Sequence, residues 1–290
     1  MRTQIDRART SAGVPGPQPG AWAIANLRAV RGRAFVRVVA LTRDLPLLPF
    51  ETVLPVMAVA AYVYLYRYLG APPGLATMVL LGGVMITYWQ NVLWAMASQL
   101  YWERMNGNLE LYMLLPTSRV SILLGMALGG MFATTVRAMA TLGAGLILFR
   151  VPFILPEPLP FLALALSSLV ALYGLGMMLS SLFLMWGREA WHLASLFQEP
   201  IDLLSGVFFP VRALGPVVAG AASLIPLTLA LDGMRQILVP GGQAMGFLPL
   251  RTTIAILAAM AIVFPAVARV ALNRVEHLAK REGRITARWQ

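Results

Sequence analysis

"ALGPVVAGAASLIPLTLALDGMRQILV", residues Ala213–Val239, is apolar over a length that could cross a bilayer, since a spanning helix needs about 20 such residues. Pro216, Gly220, Pro226 and Gly233 cut it into arms of about ten residues, too short to cross. Two short helices dipping into and out of one face fit better, and such backbone is tolerated only where other protein buries it. The choice sets the parity of the chain. A full crossing here gives seven spans, whereas a dipping pair leaves six and keeps both basic ends of the chain on one side.

The surrounding composition is that of a membrane protein. The 290 residues are 59% hydrophobic and 12% charged, against about 25% charged in soluble domains. The apolar runs lack the strict alternation of a β-barrel, so the expected class is all-α and integral to a membrane. There are no cysteines, which excludes disulfides, thiolate metal sites and a cysteine nucleophile. The net charge of +11 would suggest nucleic acid in a soluble protein. Here the basic residues gather at the two ends, where they set orientation in a bilayer instead, and no nucleic-acid partner is expected.

Six spans are predicted, at Phe50–Leu69, Leu75–Leu100, Val120–Phe149, Leu159–Trp186, Ala190–Phe209 and Arg251–Leu272. The third and fourth exceed the minimum and call for tilt or extension beyond the bilayer. Arg28, Arg31, Arg33, Arg37 and Arg43 precede the first span; Arg269, Arg274, Lys280, Arg281, Arg284 and Arg288 close or follow the last. Basic flanks favour the cytoplasm, so both termini are expected inside a bacterial cytoplasmic membrane. Residues 1–20 read as a flexible leader rich in Pro and Gly, with no apolar core of a secretory signal. Residues 21–45 read as an amphipathic interfacial helix, with Leu27, Val30, Ala34, Val38 and Leu41 on one stripe and Arg28, Arg31 and Arg33 mostly off it. Residues 46–275 then form the six-span domain, with a cytoplasmic helix at 101–116, and 276–290 a basic tail. "YVYLYRY" (Tyr62–Tyr68) reads as an aromatic belt at the end of the first span.

No catalytic motif is present. GxxxxGK[ST], HExxH and GxSxG are all missing, and the only lysine is Lys280. His192 and His277 lie too far apart in sequence to suggest a metal site. The chain is therefore not expected to be an enzyme or to hold a metal or cofactor, and active transport would require a partner to supply energy. One break between spans stands out. "YWERMNGNLELYMLLPTSR", Tyr101–Arg119, holds Glu103 and Glu110 on a predicted short helix, Trp102–Leu115. Seven residues apart, the two acids share a face, and Pro116 disfavours helix at Leu115. Exposed acids beside apolar Leu109, Leu111, Met113 and Leu115 suit a lever that inserts into a groove on a soluble subunit; an ordinary connecting loop is equally compatible.

The same segment resembles the E-x-x-x-G-x-L-E-x-L-x-x-x-P stretch of ABC-2 type transporter permeases, through Glu103, Gly107, Leu109, Glu110 and Pro116. "LSGVFFPVRALGP" (Leu204–Pro216) is similar to the family landmark where the fifth span gives way to re-entrant helices, and "SLIPLTLALDGMRQ" (Ser223–Gln236) to the return stretch before the last span. In flavour the chain looks like the bacterial drug, lipid or antibiotic export permeases. The resemblance implies a six-span permease that pairs with a second, identical or paralogous permease and docks two ATP-binding subunits carrying ATP and Mg²⁺. It implies Glu103, Arg104, Asn108, Glu110 and Leu111 at the ATPase interface. "MNG" replaces the charged residues often found early in that segment.

Charges within spans are functional candidates by default. Arg137 lies mid-span, and Glu199 and Asp202 share a face in the fifth span beside Gln198; they line a wet cavity or pair with Arg137. Because the family's second and fifth spans bound the path, Tyr88, Gln90, Asn91, Trp94, Phe197, Gln198, Ser205 and Phe208 join them as lining candidates. Phe209, Pro210, Pro226 and Asp232 mark the re-entrant hairpin. Asp232 and Arg235 suggest a local surface ion pair of little energetic worth. The small-residue runs Gly125-x-x-x-Gly129, Gly143-x-Gly145 and Gly174-x-Gly176 suit close helix packing. The expected function is export of an amphipathic small molecule or a membrane lipid. Alternatives are export of a lipid-linked glycan, an ion-coupled secondary transporter using Arg137, Glu199 and Asp202 as a relay, or an intramembrane enzyme, which the lack of any nucleophile–base spacing disfavours.

Overall fold

The computed structural model describes residues 19–44, 46, 48–115, 117–154 and 158–282. Most of the expected leader, Pro116 and the end of the basic tail lie outside the described residues, as do the side chains of Glu110, Phe197 and residues 276–282. Among the described residues all regular structure is helical. The α-helices are α1 (Pro19–Asp44), α2 (Leu48–Tyr68), α3 (Pro73–Gln90), α4 (Gln99–Met105), α5 (Asn108–Leu114), α6 (Arg119–Phe149), α7 (Pro158–Trp186), α8 (Arg188–Leu204), α9 (Pro216–Ala222), α10 (Pro226–Leu238) and α11 (Leu250–Glu282). A π-helical turn, Asn91–Met96, joins α3 to α4, so that Pro73–Met105 forms one apolar rod of 33 residues.

Five rods are long and apolar enough to cross a membrane: Pro49–Tyr68, Pro73–Met105, Arg119–Phe149, Pro158–Trp186 and Leu250–Val275. They overlie the first four and the last of the expected spans, and the protein is a helical membrane protein. The expected fifth span, Ala190–Phe209, is not among these rods. Its helix, α8, has 17 residues and ends at Leu204, with Pro200 inside it, and reaches about 26 Å at 1.5 Å per residue. His192, Ser195 and Glu199 on its outer side are exposed, so it is less apolar than the other five as well as shorter. The stretch Ala213–Val239 forms two short helices, α9 and α10, bent by 111° at their junction. Nearly every residue of α10 is buried, as backbone of this kind requires.

The helix at the N-terminal end also departs from expectation. Rather than presenting its stripe to an open interface, α1 runs side by side with the first half of α6. Asn26 meets Ser118, Val30 and Arg33 meet Gly125, and Ala34 and Arg37 meet Gly129. Positions advance together along both chains, so the two helices are parallel. A Cβ at Gly125 would lie 2.5 Å from the Val30 carbonyl oxygen, and one at Gly129 would lie 2.8 Å from that of Ala34. The Gly125-x-x-x-Gly129 run is therefore the seat of α1, a small-residue contact between helix backbones. The inward stripe carries Asn26, Val30, Arg33, Ala34, Arg37 and Leu41, while Leu27, Phe35 and Val36 are exposed. Arg33 thus lies on the stripe, not off it, and the helix turns Asn26, Arg33 and Arg37 inward while its exposed side mixes Leu27, Phe35 and Val36 with Arg28 and Arg31.

Beyond α1, the second half of α6 packs on α2, with Arg137 beside Glu51 and the Arg67 guanidinium donating to the Phe149 carbonyl. The rod α11 runs along α7, where Gly174 fits against Pro265. The elbow (α4–α5) lies at one end of the bundle, and the loops after α2 and α6 at the other. Because backbone fills the space over Gly125, Gly125→Val should cost about 1–3 kcal/mol, seen as a lower unfolding temperature of the purified chain in detergent. Gly143→Val, where nothing lies within 4 Å, should leave that temperature unchanged.

Candidate functional site

The elbow between the second and third rods is two helices rather than the single one expected over Trp102–Leu115. The chain breaks at Asn106–Gly107, where Gly107 has φ +75°, a left-handed conformation glycine adopts without a Cβ penalty. The bend folds α5 back, so that Asn108 and Tyr112 return to Glu103. Glu103 is only 8% exposed, and the expected solvent-facing acid is corrected to a buried one.

Its two oxygens accept four hydrogen bonds. Oε1 takes Arg33 Nη2 at 2.9 Å and Gln99 Nε2 at 3.1 Å; Oε2 takes Asn108 Nδ2 at 2.8 Å and the Tyr112 hydroxyl at 2.7 Å. The Arg33 guanidinium also stacks over the Tyr112 ring, 4.5 Å from its centroid, a cation–π contact. One carboxylate at its full accepting capacity thus ties α1, α4 and α5 together. The elbow is held on two further sides. Asn26 Oδ1 accepts the Ser118 N–H at 2.7 Å, just before α6 begins, and Arg104 Nη1 donates to the Leu184 carbonyl near the end of α7 at 3.3 Å. Facing away from this hub, Trp102, Met105, Leu111, Leu114 and Leu115 are all at least half exposed.

Next to the elbow lies an aromatic cluster. Trp191 of α8 stacks on Trp94 with centroids 5.6 Å apart and meets Trp102 and Phe183 edge-on. Trp94 sits in the π-helical turn and donates from Nε1 to Gln198 Oε1 at 2.8 Å. π-Helical turns are uncommon and often occur at functional positions.

Further along the rods is a polar layer. The Tyr88 hydroxyl donates to Thr135 Oγ1 at 3.0 Å, and Tyr173 bonds Asn91 Oδ1 at 2.9 Å and Thr134 Oγ1 at 3.2 Å. Thr134 stands at the middle of α6 and Tyr173 close to the middle of α7. Arg37 lies within electrostatic reach of Arg137 and Tyr173. Glu103 is also within its electrostatic reach, and an arginine stays charged.

These geometries sort the expected path residues. Tyr88 and Asn91 come together, as do Trp94 and Gln198, on different sides of α3. Arg137 does not pair with Glu199 or Asp202; its Nε lies 2.6 Å from Glu51 Oε2. The reason is the length of α6, which brings Arg137 to the start of α2. Glu199 and Gln90 are exposed, whereas Asp202 Oδ1 and Ser205 Oγ are buried without a hydrogen-bond partner among the described residues. Phe208 stacks on Tyr62 at 4.0 Å, and its carbonyl accepts the Tyr66 hydroxyl at 3.0 Å. The aromatic belt is corrected accordingly: Tyr62 and Tyr66 face protein, while Tyr64 and Tyr68 are exposed.

The hairpin differs as well. Asp232 and Arg235 are buried, not a surface pair. Asp232 accepts the Phe247 N–H at 3.0 Å and Gln236 Nε2 at 3.0 Å. Arg235 donates to the carbonyls of Val207 at 2.8 Å and Phe209 at 3.1 Å. Phe209 and Pro210 are half-buried, and Pro226 is buried. Sequence reasoning missed Asn26, Arg33 and Arg37 as inward groups, Tyr112 as a ligand of Glu103, Glu51 as the partner of Arg137, and Thr134, Thr135 and Tyr173. The three polar residues of α1 fall at spacings of seven and four, which was the available signal. Comparisons with known families, with curated proteins and with solved structures find no match.

Removing one partner of a buried, hydrogen-bonded carboxylate strands its donors. Glu103→Ala should therefore destabilise the chain by about 1–3 kcal/mol. A double-mutant cycle of Glu103→Gln with Arg33→Gln should show a coupling of about 0.5–3 kcal/mol, measured by unfolding in detergent.

Proposed function

We propose that this chain is the transmembrane permease subunit of an ATP-driven exporter of the ABC-2 type, seated in a bacterial cytoplasmic membrane with the elbow on the cytoplasmic side. The observation that carries this reading is the elbow. Its inner face is locked to α1, α6 and α7 through Glu103, Asn26 and Arg104, while its outer face offers a cluster of exposed apolar side chains led by Leu111 and Leu114. A push on that cluster is transmitted to the rods instead of being absorbed by a loose loop. An amphipathic helix laid into a groove is a common recognition mode, and the occupant proposed is an ATP-binding subunit, one on each of two permeases. ATP and Mg²⁺ reside on that subunit. Arg104, Asn108 and Glu103 take the role of coupling the elbow to the rods, and Leu111 and Glu110 that of meeting the partner.

The proposed fifth span is α8, shorter than in a plain six-span permease, which meets the second rod where Trp191 and Gln198 contact Trp94. The cargo moves outward, from the cytoplasm or the inner leaflet, along the second rod, past Trp94 near the elbow and then Tyr88 and Asn91 in the polar layer.

Purification of the tagged chain from its own membrane should recover an ATP-hydrolysing subunit in equal molar amount. Leu111→Asp and Glu110→Lys should each reduce that recovery at least about ten-fold, equivalent to about 1.4 kcal/mol, while the chain itself remains inserted and folded. Recovery without any ATPase, or recovery that neither substitution alters, would remove the elbow as the coupling element.

A further inference from the structure

The charges do not balance where α1, α2 and α6 meet. Arg33, Arg37 and Arg137 face Glu51 and Glu103. Glu103 is taken by Arg33 and Glu51 by Arg137, while Arg37 makes no hydrogen bond or ion pair among the described residues. Its position is fixed by backbone packing, because Gly129 of α6 seats against the Arg37 Cβ. The next residue, Gly130, opens on Asn91 Oδ1 and the Tyr173 ring, 3.6 and 3.8 Å from where its Cβ would stand. Asn91 accepts the Tyr173 hydroxyl through that oxygen, and its amide nitrogen makes no hydrogen bond among the described residues. Arg37 and Arg137 both lie within electrostatic reach of Tyr173, whose hydroxyl Asn91 accepts, so two guanidinium groups and an amide donor border one layer at mid-length of the rods, where positive charges outnumber negative ones by one. Charges at such depth persist where they have a counter-ion or a pathway to serve, and guanidinium matches the fork geometry of phosphate oxygens.

Apolar surface adjoins the layer. Val36 on α1, next to Arg37, and Met139 on α6, two residues from Arg137, are exposed, a suitable bed for hydrocarbon beside a charged group. We propose that Arg37 and Arg137, aided by Asn91, hold the phosphate-type headgroup of an anionic amphiphile between α1, α2 and α6. This rests on the exporter reading only in naming that amphiphile as cargo; binding itself requires no partner subunit. Glu51 then acts as an internal competitor that occupies Arg137 when the site is free.

The test uses the full chain in a neutral detergent, with lipid retention read by native mass spectrometry. Dioleoylphosphatidylglycerol should be retained about ten-fold more tightly than dioleoylphosphatidylcholine, and Arg37→Gln should abolish that preference. Glu51→Gln should strengthen retention by releasing Arg137, an effect that a purely structural ion pair would not produce. Arg31→Gln, at an exposed position of α1, should change nothing. Equal retention of the two lipids, indifference to Arg37→Gln, or weakened retention in Glu51→Gln would overturn the proposal. Displacement by inorganic phosphate below about 1 mM would overturn the amphiphile assignment by making the free anion the ligand. Loss of headgroup preference together with normal ATPase recovery would sink this site alone. Intact preference with no ATPase would instead sink the exporter reading alone.

Discussion

The carboxylate of Glu103 is the joint on which the rest of the arrangement turns. A carboxylate taken out of water is tolerable only if its lone pairs are matched, and here four donors from three helices do so. The bend at Gly107 is what permits this, since a straight helix would carry Asn108 and Tyr112 away from Glu103. Burying the acid also fixes α1, because Arg33 must stay on the inward stripe to serve it. The local break in the elbow and the docking of the first helix are thus one event seen from two sides.

That coupling gives the bundle a mechanical character. The elbow touches the first helix, the start of α6 and the end of α7 by directed polar contacts, while Met105, Leu111, Leu114 and Leu115 stand exposed on its outer side. Helix pairs elsewhere rely on close backbone approach, as at Gly125 and Gly129 against α1. Such contacts resist separation but tolerate sliding less than a loose leucine interface would, because each glycine admits only the backbone opposite it. Displacing the elbow therefore carries α1 and α6 with it, and α6 supplies Thr134 and Thr135 to the polar layer it shares with Tyr88, Asn91 and Tyr173.

The hairpin end is built on a different economy. There Arg235 and Asp232 serve backbone groups that would otherwise be unsatisfied: the carbonyls after α8 and the N–H groups before α11. Short helices inside a bilayer expose unpaired termini, and buried side chains that supply the missing partners are what allow them to exist. These two charged residues are accordingly structural, whereas Arg37 and Arg137 make no hydrogen bond to backbone among the described residues.

The helical membrane class, the bounds of three rods to within one residue, and the division of Ala213–Val239 were legible in the sequence, because each follows from the length of an apolar run or the position of Pro and Gly. Helix length is set locally by the backbone, and bilayer thickness is a fixed ruler. The shortness of α8 was not legible: its apolar tally reaches Phe209, but the chain leaves the helix at Leu204 to let Arg235 reach the carbonyls beyond. Nor were the partners. Arg137 near Glu51, Arg33 on Glu103, and Asp232 apart from Arg235 depend on which helices lie side by side and in what register, which sequence spacing within one helix cannot express. Residues 70 apart in the chain became one ion pair only when glycine contacts set α1 along α6.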